Sequence, residues 1–449
     1  MRNLLFFRKK ILFFILFSIL LGLPSIYLFK DVFQFDKEES KVLNFLIGLR
    51  DDSKKTCYFQ HKVINTSWHC VEKQVVEAKD FLYDYYAPDT FGLPGGYIDY
   101  FGSGKIIGTN GKGEMFMYNI NDKTIIKQNS NLNDIFNNQK FRELLPSEFF
   151  GRFGIKDIFL DKENNKIYAS LTADVTNKGC YGIAVYQSNF DFDEKLKILS
   201  DLNFTKFFKT DTCNVNFNGH ASGGRIQKLN DKIILTVGSL DFEADYMKKS
   251  EYLIPQSLNN AIGKIIEIDS AGKYKILSLG HRNQQGLMVY KNKLISTEHG
   301  PRGGDEINVI EENEHYGWPY YSYGGDYDHN LKYRFPHKEP YKKPIFYFSP
   351  SIGISEIIFY KGMEFPYWNN KLIVTSLKEK SLFLMDFDFS ENRVLSSEKI
   401  YIGHRIRDIE LGTNGKIILI TDDQKLIQLS RHKKDFYFIS KKDKKYPLP

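Results

Sequence analysis

No two cysteines in this chain stand at Cys-x-x-Cys spacing, which removes the usual frame of a structural zinc site. No nucleic-acid-binding motif is present either, so the net charge of +7 does not by itself imply a nucleic-acid partner. The basic residues are dispersed, apart from a tail over 431–449 in which Arg431, Lys433, Lys434, Lys441 and Lys442 cluster. A solvated tail accounts for that cluster. Small-x-small cleavage chemistry is poorly represented near Leu21–Ser25. Beyond residue 29, what remains is a succession of short β-like runs rather than long apolar stretches.

Arg8, Lys9 and Lys10 precede the uncharged apolar stretch 11–29, which has the length of a membrane helix. Positive charge on its N-terminal side predicts a cytoplasmic tip and an exported remainder. Residues 1–35 therefore read as an inner-membrane anchor holding the rest in the periplasm, with a cleaved signal and secretion as the alternative. The four cysteines, Cys57, Cys70, Cys180 and Cys213, agree with an oxidising compartment. They allow three pairings, and nearest-neighbour pairing gives two local disulfide staples.

Six copies of one short pattern follow: a turn residue or two, a lysine, then apolar residues. The lysines are Lys105, Lys166, Lys232, Lys293, Lys371 and Lys416, at intervals of 45 to 78 residues. Asn-Gly, Asn-Asn or Asn-Asp ahead of a β run marks a hairpin turn. A repeat of this period with room for about four strands predicts an all-β, six-bladed β-propeller over 95–430. Residues 36–94 read as a linker and small cap segment.

The richest stretch chemically is Gly280–Pro319, which reads GHRNQQG, TEHGPRGGDEIN and HYGWP. Glycines among His, Arg, Asn and Gln let a backbone approach a ligand while side chains converge on it. Other polar clusters come from loops of several blades: His220, Lys378, Arg405 and Arg407. Four cations meeting at one place (Arg282, Lys378, Arg405, Arg407) imply an anionic ligand with several carboxylates or phosphates, unless acids such as Asp408 or Glu379 pair with them. The Gly300-Pro301 carbonyls with Asp305 and Glu306, and Asp326 and Asp328 further on, are oxygen donors suited to calcium. His220 has the chemistry of a general base.

Together these residues resemble the soluble quinoprotein glucose/sorbosone or aldose sugar dehydrogenases. The likeness spans about 150–425. It rests most on Gly280–Pro319, and also on His220–Arg225, Lys232–Gly238, Gln256 with Gly263–Asp269, Thr375–Lys378 and Arg405–Asp408. It implies a six-bladed propeller that binds pyrroloquinoline quinone (PQQ). Arg282, Asn283, Lys378, Arg405 and Arg407 would hold the quinone, and the Gly300 and Pro301 carbonyls a calcium that polarises it. A second calcium would use Glu306, the Tyr316 carbonyl and Asp326. His220 would take the proton of a sugar hydroxyl during hydride transfer, and an electron acceptor would complete the cycle.

Three departures from that pattern stand out. Ser239 occupies the place of an acid expected to orient the histidine, with Asp241 two residues on. Arg152 replaces a glutamine, where it either grips an anion or displaces the sugar. One extra residue separates His220 from Arg225. A propeller that binds a sugar or anion without turnover is the alternative. A calcium-dependent lactonase has too few acids at the site.

Overall fold

The computed structural model describes residues 63–67, 69–76, 95–139, 153–193, 198–242, 254–325 and 340–432. All belong to the larger of two compact units, Phe59–Pro449. The stretch 11–29 and the basic tail beyond 432 lie outside the described residues. Among the described residues no helix is long and apolar enough to cross a membrane.

Six sheets, antiparallel but for a short parallel pairing of Tyr274–Leu279 with Glu314–His315, make six blades. Their inner strands are Tyr97–Gly102, Ile155–Asp161, Gly223–Leu229, Gln284–Tyr290, Ile354–Phe359 and Ile406–Leu411. Each of these packs on the next, and Ile406–Leu411 returns to Tyr97–Gly102, so the ring is closed. The second strands are Lys105–Thr109, Lys166–Asp174, Lys232–Val237, Lys293–Glu298, Lys371–Ser376 and Ile417–Thr421. Every lysine of the repeat thus marks the start of a second strand, the sixth standing one residue before it.

The hairpin turns ahead of these strands contain Ser103, Asn165, Asn230, Asp231, Lys291, Asn292, Asn370 and Asn414, all at positive φ. A two-residue turn must bend this way to match strand twist, and asparagine tolerates it best among residues with a side chain. The turn chemistry therefore sets the blade repeat.

The last blade is completed by the other end of the chain. Cys70–Val76 pairs antiparallel with Leu426–Arg431, and Val63–Asn65 pairs with Cys70–Val76. Part of the 36–94 segment, set outside the propeller on sequence, is therefore a strand of its closing blade.

Each junction between adjacent blades has its own apolar cluster, six among the described residues. Ile107 and Ile158 join the first two blades, Val185 and Leu235 the next pair, and Leu235's neighbours in turn the third and fourth through Ile234 and Leu287. Ile307 and Val374, Leu384 and Leu419, and Ile418 and Ile106 fill the remaining three. Fully burying such a side chain stabilises by about 1.5–3 kcal/mol, so blade-on-blade packing carries the fold.

At the axis the inner strands meet around one guanidinium. Arg225 donates to Asp157 and Asp408 at 2.8 Å each, to Glu356, and through Nε to the Gln285 carbonyl at 2.7 Å. Its fifth neighbour is the Tyr97 ring, 4.8 Å away. With Arg225 itself, these residues come from all six blades. The same carboxylates accept backbone N–H groups of adjacent inner strands: Asp157 from Ile226, Glu356 from Leu287 and Asp408 from Ile98. Burial nevertheless pushes Asp157 up to about 7 and Glu356 up to about 8, against the pull of Arg225.

Candidate functional site

Arg282 and Asn283 sit where the chain crosses from Tyr274–Leu279 of the third blade into Gln284–Tyr290 of the fourth. The Arg282 guanidinium lies 5.2 Å from the Trp318 ring centre, and Nη1 donates to the His299 and Gly300 carbonyls at 3.2 Å. The Asn283 side-chain oxygen accepts the Gly223 N–H at 3.2 Å and the Gln285 Nε2–H at 2.9 Å. Gln285 Oε1 in turn accepts Arg407 Nη1 at 3.1 Å. A polar row therefore runs from the third blade through the fourth to the sixth. Gly223 has φ of 62°, and a Cβ there would stand 2.7 Å from the Gly238 nitrogen, so only glycine brings this backbone to Asn283.

The expected acid partners of the cations are not the observed ones. Asp408 is committed to Arg225, and Glu379 to Lys399. Asp422, which sequence reasoning missed, takes both Arg407 (2.8 and 3.1 Å) and Arg405 (3.0 Å). Lys378 is exposed and donates to the Ser351 carbonyl at 3.0 Å. Among the described residues no hydrogen bond or ion pair ties it to the other cations.

Burial keeps the His299 imidazole below its usual range. The charges of Arg282 and Arg407 push the same way, and Asp305 opposes them. Both arginines are therefore close enough to act on one imidazole. Lys156, also beside Arg407, is lowered to about 7, chiefly by burial. Arg282 and Arg407 thus bring cationic charge to one place, and a polyanionic ligand fits such a face.

Of the expected calcium ligands, Gly300, Glu306 and Tyr316 line one small polar pocket with Gly280, Arg282 and Glu298. The Tyr316 hydroxyl is spent on the Val309 carbonyl at 2.6 Å, while Glu306 Oε2 accepts from Asn308 at 3.3 Å. Pro301 is buried beside this pocket in the same turn. Asp326 and Asp328 lie outside the described residues, and no cluster of three or more metal-binding side chains occurs among the described residues.

His220 is exposed on the loop that enters the third blade. Its N–H donates to the Asn218 side chain at 3.1 Å, and the Asn218 N–H donates to Asp241 at 3.0 Å. Leu240 N–H also donates to the Ala221 carbonyl. Asp241 therefore braces the backbone of the His220 loop. Ser239 is fully buried, and its N–H donates to the Arg282 carbonyl at 2.6 Å. The disulfide Cys180–Cys213 staples the start of the same loop to the second blade. Cys70 is also disulfide-bonded. Its expected partner Cys57, like Arg152, falls outside the described residues.

The structure thus defines a six-bladed propeller with a cationic binding face, and comparison with known proteins places it further. The sequence pattern of the Glucose / Sorbosone dehydrogenase family matches residues 98–428. The chain belongs to that family. It is 33% identical over 166 residues to the aldose sugar dehydrogenase YliI of Escherichia coli, covering 34% of this chain and 43% of that protein. It is 30% identical over 123 residues to quinoprotein glucose dehydrogenase B of Acinetobacter calcoaceticus, covering 22% and 26%. The matched stretches span about half or less of these curated relatives. In fold, the chain is similar to the apo soluble aldose sugar dehydrogenase of Escherichia coli, with a TM-score of 0.61, 22% identity, and 81% and 100% of the two chains covered. It is also similar to the PQQ-bound aldose sugar dehydrogenase of Streptomyces coelicolor, with a TM-score of 0.55, 16% identity, and 81% and 98% covered.

Proposed function

We propose that this protein is a PQQ-dependent dehydrogenase that oxidises an aldose or related sugar alcohol. The observation that carries the reading is the gathering of cations: Arg405 and Arg407 share the carboxylate Asp422, and Arg282 and Arg407 both act on His299. A tricarboxylate quinone matches that charge. Arg282, Asn283, Arg405, Arg407 and Lys378 would hold it, and Arg152 would add a further cation. Bound there, the quinone supplies the two-electron acceptor. His220 would hold the sugar's hydroxyl proton on its imidazole, with its loop braced by Asn218 and Asp241. A separate electron acceptor would regenerate the site.

Calcium would be held by the Gly300 and Pro301 carbonyls, and a second ion by Glu306, the Tyr316 carbonyl and Asp326. The shared pocket of Gly300, Glu306 and Tyr316 supports this. Residues 11–29 would anchor the propeller to the inner membrane on its periplasmic side. The Cys180–Cys213 disulfide is in keeping with an oxidising compartment.

The test is calorimetric titration of the purified protein with PQQ and calcium, followed by reduction of an artificial acceptor with a panel of aldoses. Failure to bind the quinone refutes the reading. One observation favours a second reading. Ser239, in place of an orienting acid, gives its backbone N–H to Arg282 and has a buried hydroxyl without a partner among the described residues. Quinone binding without turnover of any aldose would establish a binding propeller instead.

A further inference from the structure

Behind Arg282 lies a buried chain of side chains with the connectivity, but not the exposure, of a hydrolytic triad. Glu298 Oε2 accepts the His281 Nδ1–H at 2.9 Å, which leaves His281 Nε2 to accept the Ser278 hydroxyl at 2.9 Å. Ser278 and His281 are 0% exposed and Glu298 6%, so no substrate reaches this serine. His281 also stacks on Tyr316, ring centres 4.6 Å apart. The other carboxylate oxygen of Glu298 accepts the Arg282 backbone N–H.

Glu298 ends the second strand of the fourth blade and reaches back to two successive residues of the crossover. From the third blade, the Ser239 N–H takes the Arg282 carbonyl. Both backbone groups of Arg282 are therefore held, one from each flanking blade. A long side chain on an unsecured crossover would spread its guanidinium over many positions. With the peptide held on both sides, Arg282 starts from one direction and lands on Trp318 and the His299 and Gly300 carbonyls.

We propose that Glu298 and His281 are positioning residues that act through Arg282 and set its grip on an anionic cofactor carboxylate. This rests on the quinone reading above. The chain does not touch the ligand. It fixes the backbone from which the one cation rooted between the third and fourth blades is aimed.

The experiment is a double-mutant cycle read by quinone affinity on the apo protein, with melting temperature recorded for each variant. Glu298→Ala should weaken PQQ binding about 10–100-fold, the range for removing an outer partner of a binding group. In an Arg282→Ala background the same change should have almost no further effect. Glu298→Gln should bind within about threefold of wild type, because an amide can accept from Arg282 and donate to the other His281 tautomer. If Glu298→Ala does not fold, His281→Phe keeps the stack on Tyr316 and should weaken binding only when Arg282 is present. Equal weakening with and without Arg282 overturns the proposal while leaving the functional reading intact. A fall in melting temperature without loss of affinity also overturns it, leaving a purely structural role. Absence of quinone binding by the wild type overturns both.

Discussion

Replacing Arg225 by methionine tests whether the propeller axis is held by charge. Methionine fills most of the stem volume but withdraws the guanidinium from Asp157, Glu356, Asp408 and the Gln285 carbonyl. Three buried carboxyls then share no cation. Removing one partner of a buried ion pair costs about 3–5 kcal/mol, out of about 5–15 kcal/mol for a whole domain. The deficit should also depend on pH with a definite sign. Asp157 and Glu356 are raised already, to about 7 and about 8, so the native state binds more protons than the unfolded one from about pH 4 upward. Wild-type stability from these groups therefore falls as pH rises through that window. Without Arg225 the carboxyls rise further and the slope steepens. Each carboxyl held neutral costs about 1.4 kcal/mol more per pH unit, so the deficit should shrink by at least about 2 kcal/mol between pH 8 and pH 5. Urea unfolding followed by tryptophan fluorescence at pH 5, 6, 7 and 8 measures it. A deficit equal at every pH would mean lost packing rather than charge. A deficit below about 1 kcal/mol at pH 8 would mean that the channel hydrates the acids, refuting the argument.

Three further outcomes are expected. His220→Ala should abolish turnover and leave quinone affinity within about twofold, because the residue handles the proton and not the cofactor; equal loss of both, by calorimetry and steady-state kinetics, removes His220 from that role. Burial lowers Lys264 to about 7, and its ammonium is held by the Ile254, Pro255 and Ile262 carbonyls. The unfolded chain binds this proton up to about pH 10.4 and the native chain does not, so this group adds stability as pH climbs from about 7. Lys264→Met should flatten the rise in unfolding free energy between pH 7.5 and 9.5, and an unchanged slope contradicts the assignment. Cys180→Ser with Cys213→Ser opens a 33-residue loop, and chain-entropy arguments give a loss of about 3–4 kcal/mol, readable by denaturant midpoint.

The hairpin of every blade was legible because its signal is local. Ser, Asn or Asp at a left-handed turn, then lysine, then apolar residues, is a message contained in five residues. Cys70–Val76 carried no such turn, and its partner Leu426–Arg431 stands at the other end of the chain, so nothing nearby announced the closing strand. The axis cluster was illegible for a related reason. Each blade contributes one residue, and local register shifts, as between Ile155 and Asp157 or Ile406 and Asp408, aim it inward. At the site, Arg282 and Arg407 were recognised as members of one cationic group, but their partners were not. Asp408 is next to Arg407 in sequence, yet successive strand residues face opposite ways, so it meets Arg225 while Arg407 turns to Asp422. Glu298 and His281 lay inside the richest stretch, but nothing in residue type distinguishes a side chain facing a ligand from one bracing the backbone behind it.

The closing blade makes the two ends of the propeller mutually dependent in time. Leu426–Arg431 is made after the other five blades and Cys70–Val76 before them. The early strand must wait without this partner while five blades are synthesised, and the ring has no complete circumference until the late one arrives. Until then the edge of Cys70–Val76 that Leu426–Arg431 will cover stays open, a template for a neighbouring chain. Assembly is thus a race between ring closure and edge-to-edge association, and slower delivery of the C-terminal blade lengthens the vulnerable interval.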